Sequence, residues 1–206
     1  MKKVLVLGYR DKCPDDYTLI NTTSKSTNWS RGLSPFFVGQ KIHLYGNFFA
    51  TNLENAWQFS KLYKEFGDEN GNPTDSYYRW AVKGWGDTFA HRYPMGKGAI
   101  PLCSMWNGKA LNYIEARKKI YIPLYSKEVV KTNAYKQLKT LYDSGCNIAL
   151  LDFDGYDYLK LGYTFKDVIL DPKRKMGHAF VLAMLLEEAI IIKDNKISYN
   201  ESKLIN

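Results

Sequence analysis

The chain has 206 residues, of which 45% are hydrophobic, and this is enough for one sizeable core. Lys and Arg outnumber Asp and Glu by 29 to 21, so the net charge of +8 favours anionic partners such as nucleotides, phosphorylated metabolites or nucleic acid. Three widely spaced cysteines argue against a disulfide framework or a zinc cluster, and no apolar run is long enough to span a membrane. We therefore expect a cytoplasmic protein with one domain, residues 1–206.

Hydrophobic periodicity and turn residues divide the chain into short elements. In the first half they predict a strand at 3–7, a strand at 17–21, a loop at 22–32, a hairpin at 36–45 that turns near Gly39, a helix at 52–63 and a helix at 75–83. In the second half they predict a glycine-rich loop at 88–101, helices at 109–121 and 127–144, a strand at 148–153 and a helix at 177–192. This order predicts a helix-rich α+β fold with one small sheet.

The helix predicted after Asn52 separates polar from apolar side chains. Glu54, Gln58 and Lys61 stand at positions i, i+4 and i+7, which places all three on one face of a helix. Trp57 lies on another part of the helix surface. One interpretation is a solvated face with a favourable order of Glu before Lys, and the other is the wall of a polar pocket. We favour the pocket wall.

The glycine-rich string from His91 to Gly98 combines an adaptable backbone with positive charge. Glycines admit close approach of a ligand, and Arg92 and Lys97 supply charge, so one interpretation is a phosphate contact and the other a structured turn. The spacings of the Walker A loop and of the dinucleotide-binding fingerprint are absent. Because no histidine stands at metal-ligand spacing from another, we expect no metal. No bound cofactor is expected either.

An apolar run beginning at Ile148 ends in carboxylates. The string Asp152-Phe153-Asp154-Gly155 is similar to the first motif of haloacid-dehalogenase phosphatases, where one Asp attacks phosphorus. Too little chain follows for the rest of that domain, which argues against such a phosphatase. Partial burial at the end of a strand suits Asp152, Asp154 or Asp157 for acid or base catalysis, whereas the alternative is that these side chains cap a turn.

The order of these motifs resembles the NADAR superfamily of N-glycosidases. The likeness rests on the string from Glu54 to Lys61, on Trp106 ahead of a basic helix, on Asp157 with Asp152 five residues earlier, and on the apolar helix that starts at Gly177. It covers residues 35–190, with residues 1–34 as an N-terminal strand and loop extension. The resemblance implies a small α+β enzyme that hydrolyses N-glycosidic bonds of ribose derivatives, including riboflavin-pathway intermediates and ADP-ribosylated nucleobases.

Site residues follow from this resemblance. It implies catalytic roles for Glu54, Asp157 and Trp106, with Asp157 stabilising charge or activating water and Glu54 as its partner, or the reverse. The residues expected to contact the substrate are Trp57, Gln58, Lys61, Arg92, Lys97, Asp152 and His178. No metal site is expected among them.

A second resemblance concerns the whole chain. Its strings Asn21-Thr22-Thr23-Ser24 and Arg92-Tyr93-Pro94-Met95-Gly96-Lys97-Gly98 are similar to segments of proteins encoded by large bacteriophages, which implies a setting in the host cytoplasm. The positive charge and the 15% aromatic content suit a second hypothesis equally well. Under that hypothesis the protein binds nucleotides or nucleic acid without catalysis and acts on a host partner.

Overall fold

The computed structural model describes residues 4–205, so Lys3, with which the first predicted strand begins, lies outside the described residues. The strands are β1 Leu5–Leu7, β2 Thr18–Asn21, β3 Ile42–His43, β4 Phe49–Ala50, β5 Lys61–Leu62, β6 Cys103–Trp106, β7 Lys109–Leu111, β8 Ile148–Leu151, β9 Ile190–Lys193 and β10 Lys196–Tyr199. The α-helices are α1 Leu53–Gln58, α2 Asp75–Gly86, α3 Tyr113–Ala116, α4 Ile122–Val129, α5 Asn133–Asp143, α6 Phe165–Leu170, α7 His178–Leu186 and α8 Glu201–Leu204. These elements confirm the α+β class, with small separate sheets in place of a single one.

Two compact units make up the chain. Unit 1 comprises residues 1–37 and 125–206, and unit 2 comprises residues 38–124. The assignment of one domain to residues 1–206 stays a prediction.

A three-stranded parallel sheet organises unit 1, with β8 between β1 and β2. Leu5 is opposite Ala149 on one side of β8, and Ile20 is opposite Leu150 on the other. The strand β8 is a continuous apolar run, as expected for a parallel strand that is covered on both faces. Because all three strands run in the same direction, the residues that follow them, among them Asp152, meet at one edge of the sheet.

The helix α7 forms the core of unit 1. All of its residues are buried, and a helix that is apolar on every side belongs in an interior. It packs against β1 and β8 and begins directly after Gly177, beside Asp152. A Cβ atom at Gly177 would lie 2.0 Å from Oδ2 of Asp152, so the close approach of helix and carboxylate requires glycine.

Unit 2 contains the antiparallel sheet β5-β6-β7 and the helices α1 and α2. Asn107 and Gly108 form the turn between β6 and β7, with φ of 48° and 76°. A two-residue turn with both φ values positive matches the twist of the strands that it joins. The two helices approach closely where Gly84 of α2 faces Phe59, because a Cβ atom at Gly84 would lie 2.0 Å from the Phe59 ring.

Four element predictions between residues 36 and 144 are wrong in their bounds. The predicted hairpin at 36–45 lies further along the chain, as β3 and β4, with its turn closed by the bond from Phe48 N to Tyr45 O. The helix predicted from residue 109 begins only after Asn112, because 109–111 pair with β6 through the Asn107-Gly108 turn. The helix predicted at 127–144 is interrupted, and Thr132 caps a separate α5. The helix predicted at 52–63 ends at Gln58 because Lys61 and Leu62 pair with β6.

The last predicted helix is also too long. The observed helix α7 ends at Leu186. Glu188 then has a left-handed φ of 58°, which an α-helix does not allow. The residues after it form the hairpin of β9 and β10, whose turn residues Asp194 and Asn195 have φ of 50° and 57°. The predicted strand at 17–21 and the helix from residue 75 are confirmed as β2 and α2, and the described part of the strand predicted at 3–7 contains β1. The strand predicted at 148–153 is confirmed as β8, which ends at Leu151.

Candidate functional site

The helix α1 carries the principal carboxylate of unit 2. Asn52 caps this helix, since its side-chain oxygen accepts a hydrogen bond from Asn55 N at 2.8 Å, as the sequence predicts. Glu54 follows in the first turn, where the helix dipole favours a negative charge. Only 8% of Glu54 is exposed. A carboxylate so deeply covered requires polar partners, because its burial is otherwise costly.

Glu54, Gln58 and Lys61 form a hydrogen-bonded series. Gln58 Nε2 donates to Glu54 Oε1 at 2.9 Å, and Lys61 Nζ donates to Gln58 Oε1 at 2.6 Å. The amide of Gln58 is thereby fixed in orientation by a carboxylate on one side and a cation on the other. Lys61 belongs to β5, so the expectation that one helical face carries all three residues is wrong. The three side chains nevertheless meet, because the chain turns directly from α1 into that strand.

Two tryptophans share one apolar cluster in unit 2, and Trp57 is also in contact with this series. Trp57 lies 5.2 Å from Lys61 Nζ, measured from the ring centroid, and 5.2 Å from the ring of Tyr121. Trp57 and Trp106 both pack against the cluster of Leu111, Ala116 and Ile120. Both indoles are half-buried, and each therefore keeps part of its surface exposed. The predicted pair of indoles shares one apolar base within unit 2.

The loop that follows α2 is attached to α1 through Asn55, which is fully buried. Asn55 Nδ2 donates to the carbonyl oxygens of Asp87 at 2.9 Å and Phe89 at 2.8 Å, and Asn55 Oδ1 accepts from His91 N at 2.9 Å. Asn55 is adjacent to Glu54 in sequence, so the loop is attached to the same helix that carries the carboxylate. Arg92 comes next, with its guanidinium carbon 5.6 Å from the centroid of Tyr93.

Arg117 is a buried cation that the sequence prediction missed. It is 1% exposed and opens the π-helical turn Arg117–Tyr121 between α3 and α4. Its guanidinium carbon lies 4.2 Å from the centroid of Tyr113. Turns of this type occur frequently at functional sites. Position in the sequence gave no signal for Arg117, because it stands among lysines in a basic stretch that suits a solvated surface.

Asp152 and His178 form a buried pair in unit 1. His178 Nδ1 lies 3.0 Å from Asp152 Oδ2, and His178 Nε2 lies 2.8 Å from the carbonyl oxygen of Thr22. Ala179 N also donates to Asp152 Oδ2, at 3.2 Å. Burial by itself raises the pKa of Asp152, but the charge and hydrogen bond of His178 and the N–H groups of Ala179 and Asp154 outweigh burial and hold it below its ordinary value.

The ring of His178 lies between two oxygen atoms of the protein. Its Nδ1 faces Asp152 and its Nε2 faces the carbonyl oxygen of Thr22, whereas a neutral imidazole donates from one nitrogen only. The charge of the protonated ring is the largest of the contributions that lower the pKa of Asp152. Both nitrogens of His178 are thus engaged by protein oxygens. Its assignment as a substrate contact stays a prediction, as does that of Asp152.

Asp157 belongs to unit 1 and stabilises a turn. Its Oδ1 accepts a hydrogen bond from Lys160 N at 3.2 Å, and its Oδ2 lies 3.4 Å from Lys160 Nζ. This is the turn-capping alternative that the sequence left open. The structure therefore brings Glu54, Gln58, Lys61 and Trp57 together in unit 2, and Asp152 with His178 in unit 1. The pairing of Asp157 with Glu54 stays a prediction.

Two further properties concern the whole of the described chain. Within residues 4–205, no three side chains of His, Cys, Asp or Glu come together as a metal site would require. Over the same residues, none of the helices has both the length and the apolar character needed to cross a bilayer.

Comparison with known families gives one match. The sequence profile of the family of unknown function DUF6939 matches residues 7–181. No curated protein and no solved structure matches the chain.

Proposed function

This chain belongs to the DUF6939 family, and we propose that it is an N-glycosidase that hydrolyses the C–N bond of a ribosyl nucleotide or an ADP-ribosyl conjugate. The observation that carries the proposal is the buried carboxylate of Glu54, oriented by Gln58 and adjoining Lys61 and Trp57. The resemblance of the Glu54–Lys61 string to NADAR N-glycosidases supports the same activity.

The reaction needs a fixed negative charge. As the bond between the anomeric carbon and the base breaks, its electron pair leaves with the base, and the sugar develops oxocarbenium character. An oriented carboxylate stabilises that positive charge and accepts a proton from the attacking water, while the departing base takes up a proton. Glu54 is suited to this role because burial lowers the dielectric around it and Gln58 restricts its motion.

Substrate binding is assigned to the groups beside Glu54. The half-buried faces of Trp57 and Trp106 offer stacking surfaces for a base, and Lys61 offers a cation for a phosphate or a ribose hydroxyl. Arg92 and Lys97 extend the positive charge along the loop that Asn55 holds against α1. Anionic nucleotides are the substrates that this combination of aromatic rings and cations favours.

We assign the charge-stabilising function to Glu54. Asp157 lies in unit 1 and is less deeply covered than Glu54, and its two oxygens are engaged with Lys160. The catalytic role of Asp157 that the resemblance implies stays a prediction. We place the reaction in the cytoplasm, where nucleotides are plentiful and where the free thiols of Cys13, Cys103 and Cys146 remain reduced.

Release of free base tests the proposal. The protein is incubated with NAD, with ribosyl nucleotides and with ADP-ribosylated DNA, and the products are separated by chromatography. Glu54→Gln should lower the rate by about 10²- to 10⁴-fold, because a positioned acid or base typically contributes this factor. The matched control is Glu65→Gln, which removes an exposed carboxylate from the same unit.

Thermal unfolding of each variant separates catalysis from folding. A folded Glu54→Gln protein that releases base at the wild-type rate would refute the role of Glu54. Ligand binding by the wild type without release of base from any of the substrates would favour the non-catalytic nucleotide-binding hypothesis instead.

A further inference from the structure

The segment between α2 and β6 exposes an unusual amount of apolar surface. We call residues 88–102 the exposed loop; it contains neither helix nor strand. Phe89 is 76% exposed, Ile100 85%, Leu102 54% and Tyr93 45%. Single exposed apolar side chains are ordinary, but four of them within one short segment indicate a contact surface.

The exposed loop is rigidly attached at both ends. At its start, the side chain of Asn55 is hydrogen-bonded to Phe89 O and to His91 N. His91 Nε2 also lies 2.8 Å from Asp87 Oδ2. The His91 ring also packs edge-on against Phe59, with centroids 5.7 Å apart. The backbone of Phe89 is therefore fixed while its ring projects into water.

The remainder of the exposed loop turns twice and rejoins the sheet. Gly96 N donates to Tyr93 O at 3.0 Å, and Gly96 and Gly98 have φ of 90° and 95°, which favour glycine. At the end of the loop Leu102 N donates to Leu62 O of β5 at 2.8 Å. The aromatic rings are thus displayed by a backbone of defined shape.

The charge of the exposed loop is entirely positive. Between residues 88 and 102 there are Arg92 and Lys97 and no Asp or Glu, on a chain with a net charge of +8. Asp87, which directly precedes the loop in sequence, accepts a hydrogen bond from Phe89 N and faces His91. Arg92 lies over Tyr93, so cation and ring alternate along the loop.

We propose that the exposed loop is a docking surface for single-stranded nucleic acid. Unpaired bases stack on aromatic side chains irrespective of sequence, and cations between the rings meet the phosphates that separate successive bases. A duplex hides its base faces, so it offers nothing to Phe89 and Tyr93 beyond phosphate charge. The proposal concerns binding and does not require hydrolysis at Glu54, although it shares Arg92 and Lys97 with the proposed substrate site.

Fluorescence anisotropy with a labelled dT20 oligonucleotide tests the proposal on the full chain. The wild type should bind at low salt, and the double variant Phe89→Ala, Tyr93→Ala should bind at least about thirtyfold more weakly, since two stacking contacts are lost. The control Phe37→Ala removes an aromatic ring that is exposed to the same degree as Tyr93 but lies in unit 1.

Salt dependence tests the cations separately. The double variant Arg92→Gln, Lys97→Gln should lower the slope of log affinity against log salt by about 1.4, because each phosphate contact on a single strand contributes about 0.7. The matched control is Lys193→Gln, Lys196→Gln, which removes two exposed lysines from unit 1. Glu54→Gln should bind the oligonucleotide as tightly as the wild type, whether or not the protein hydrolyses a substrate.

Three results would overturn the proposal. The first is no binding of dT20 by the wild type at low salt. The second is equal affinity of the wild type and the Phe89→Ala, Tyr93→Ala variant, or of single strand and duplex, which would leave only nonspecific charge. The third is binding to vesicles of anionic phospholipid without binding to dT20, which would identify a membrane surface as the occupant.

Discussion

Replacement of Asp152 by Asn tests the buried ion pair of unit 1. The substitution preserves volume but removes the negative charge that lies 3.0 Å from His178 Nδ1. Both side chains are at least 90% covered, so solvent does not screen the loss. Breaking a buried pair by removing one partner typically costs about 3–5 kcal/mol. For a chain of this length each kcal/mol lowers the melting temperature by about 2–4 °C, so a decrease of about 6–20 °C is expected.

Calorimetry or circular dichroism during heating measures this change, and urea unfolding gives the free energy directly. Asp143→Asn serves as the control, because its partner Lys139 lies on the surface and such pairs contribute about 1 kcal/mol or less. A double variant with His178→Gln should be more stable than the sum of the single losses implies, since it removes both charges. A loss below about 1 kcal/mol for Asp152→Asn, or strict additivity, would refute the ion pair.

Acid titration of the same proteins examines the charge of Asp152. Because the pKa of Asp152 is lowered by folding, its contribution to stability is fully present above the unfolded value, near 3.8. That contribution disappears as the pH falls from there through the lower folded pKa. The Asp152→Asn variant should therefore show a flatter acid limb than the wild type in a plot of unfolding free energy against pH. Parallel acid limbs would contradict the direction of the shift.

The remaining predictions concern close packing and the anchor of the exposed loop. Asn55→Ala removes three hydrogen bonds and should lower the free energy of unfolding, measured in urea, by about 3 kcal/mol. Amide hydrogen exchange at His91 should become faster, and unchanged exchange would refute the anchor. Gly177→Ala should lower the free energy of unfolding by about 1–3 kcal/mol, because its Cβ atom would lie 2.0 Å from Asp152 Oδ2. Gly86→Ala should leave the melting temperature nearly unchanged, because no atom lies within 4 Å of its Cβ position. Equal effects of these two glycine substitutions would contradict the close approach.

Elements with a strong local pattern were predicted well. The apolar runs of β1 and β8 and the helix α2 follow from periodicity, and the N-cap of α1 follows from Asn52 ahead of an amphipathic stretch. The contact between Glu54 and Gln58 is likewise a property of helical spacing, because residues four apart face one another. The dipeptide Asn107-Gly108 is a strong hairpin signal that the sequence prediction left out. The hairpin of β6 and β7 accounts for the error in the helix predicted from residue 109.

The candidate site depends more on tertiary structure. The end of α1 is decided by the pairing of Lys61 with β6, which lies about forty residues further along the chain in sequence. The burial of Arg117 and the engagement of both nitrogens of His178 depend on packing that no local window contains. The roles of Glu54 and Asp157 remain predictions that kinetic measurements decide.

The sequence by itself determined which residues form strands and helices wherever a period of two or 3.6 residues, or a capping residue, settles the matter within a few positions. It also determined the positive charge and the string from Glu54 to Lys61. Only the tertiary structure decided that Lys61 reaches Gln58 from a strand, that Asn55 holds the exposed loop, and that Asp152 meets His178. The last two contacts join segments that are distant in the chain, and the first depends on the pairing of Lys61 with the distant strand β6. Their energies depend on burial and on geometry between elements, which a linear pattern does not encode.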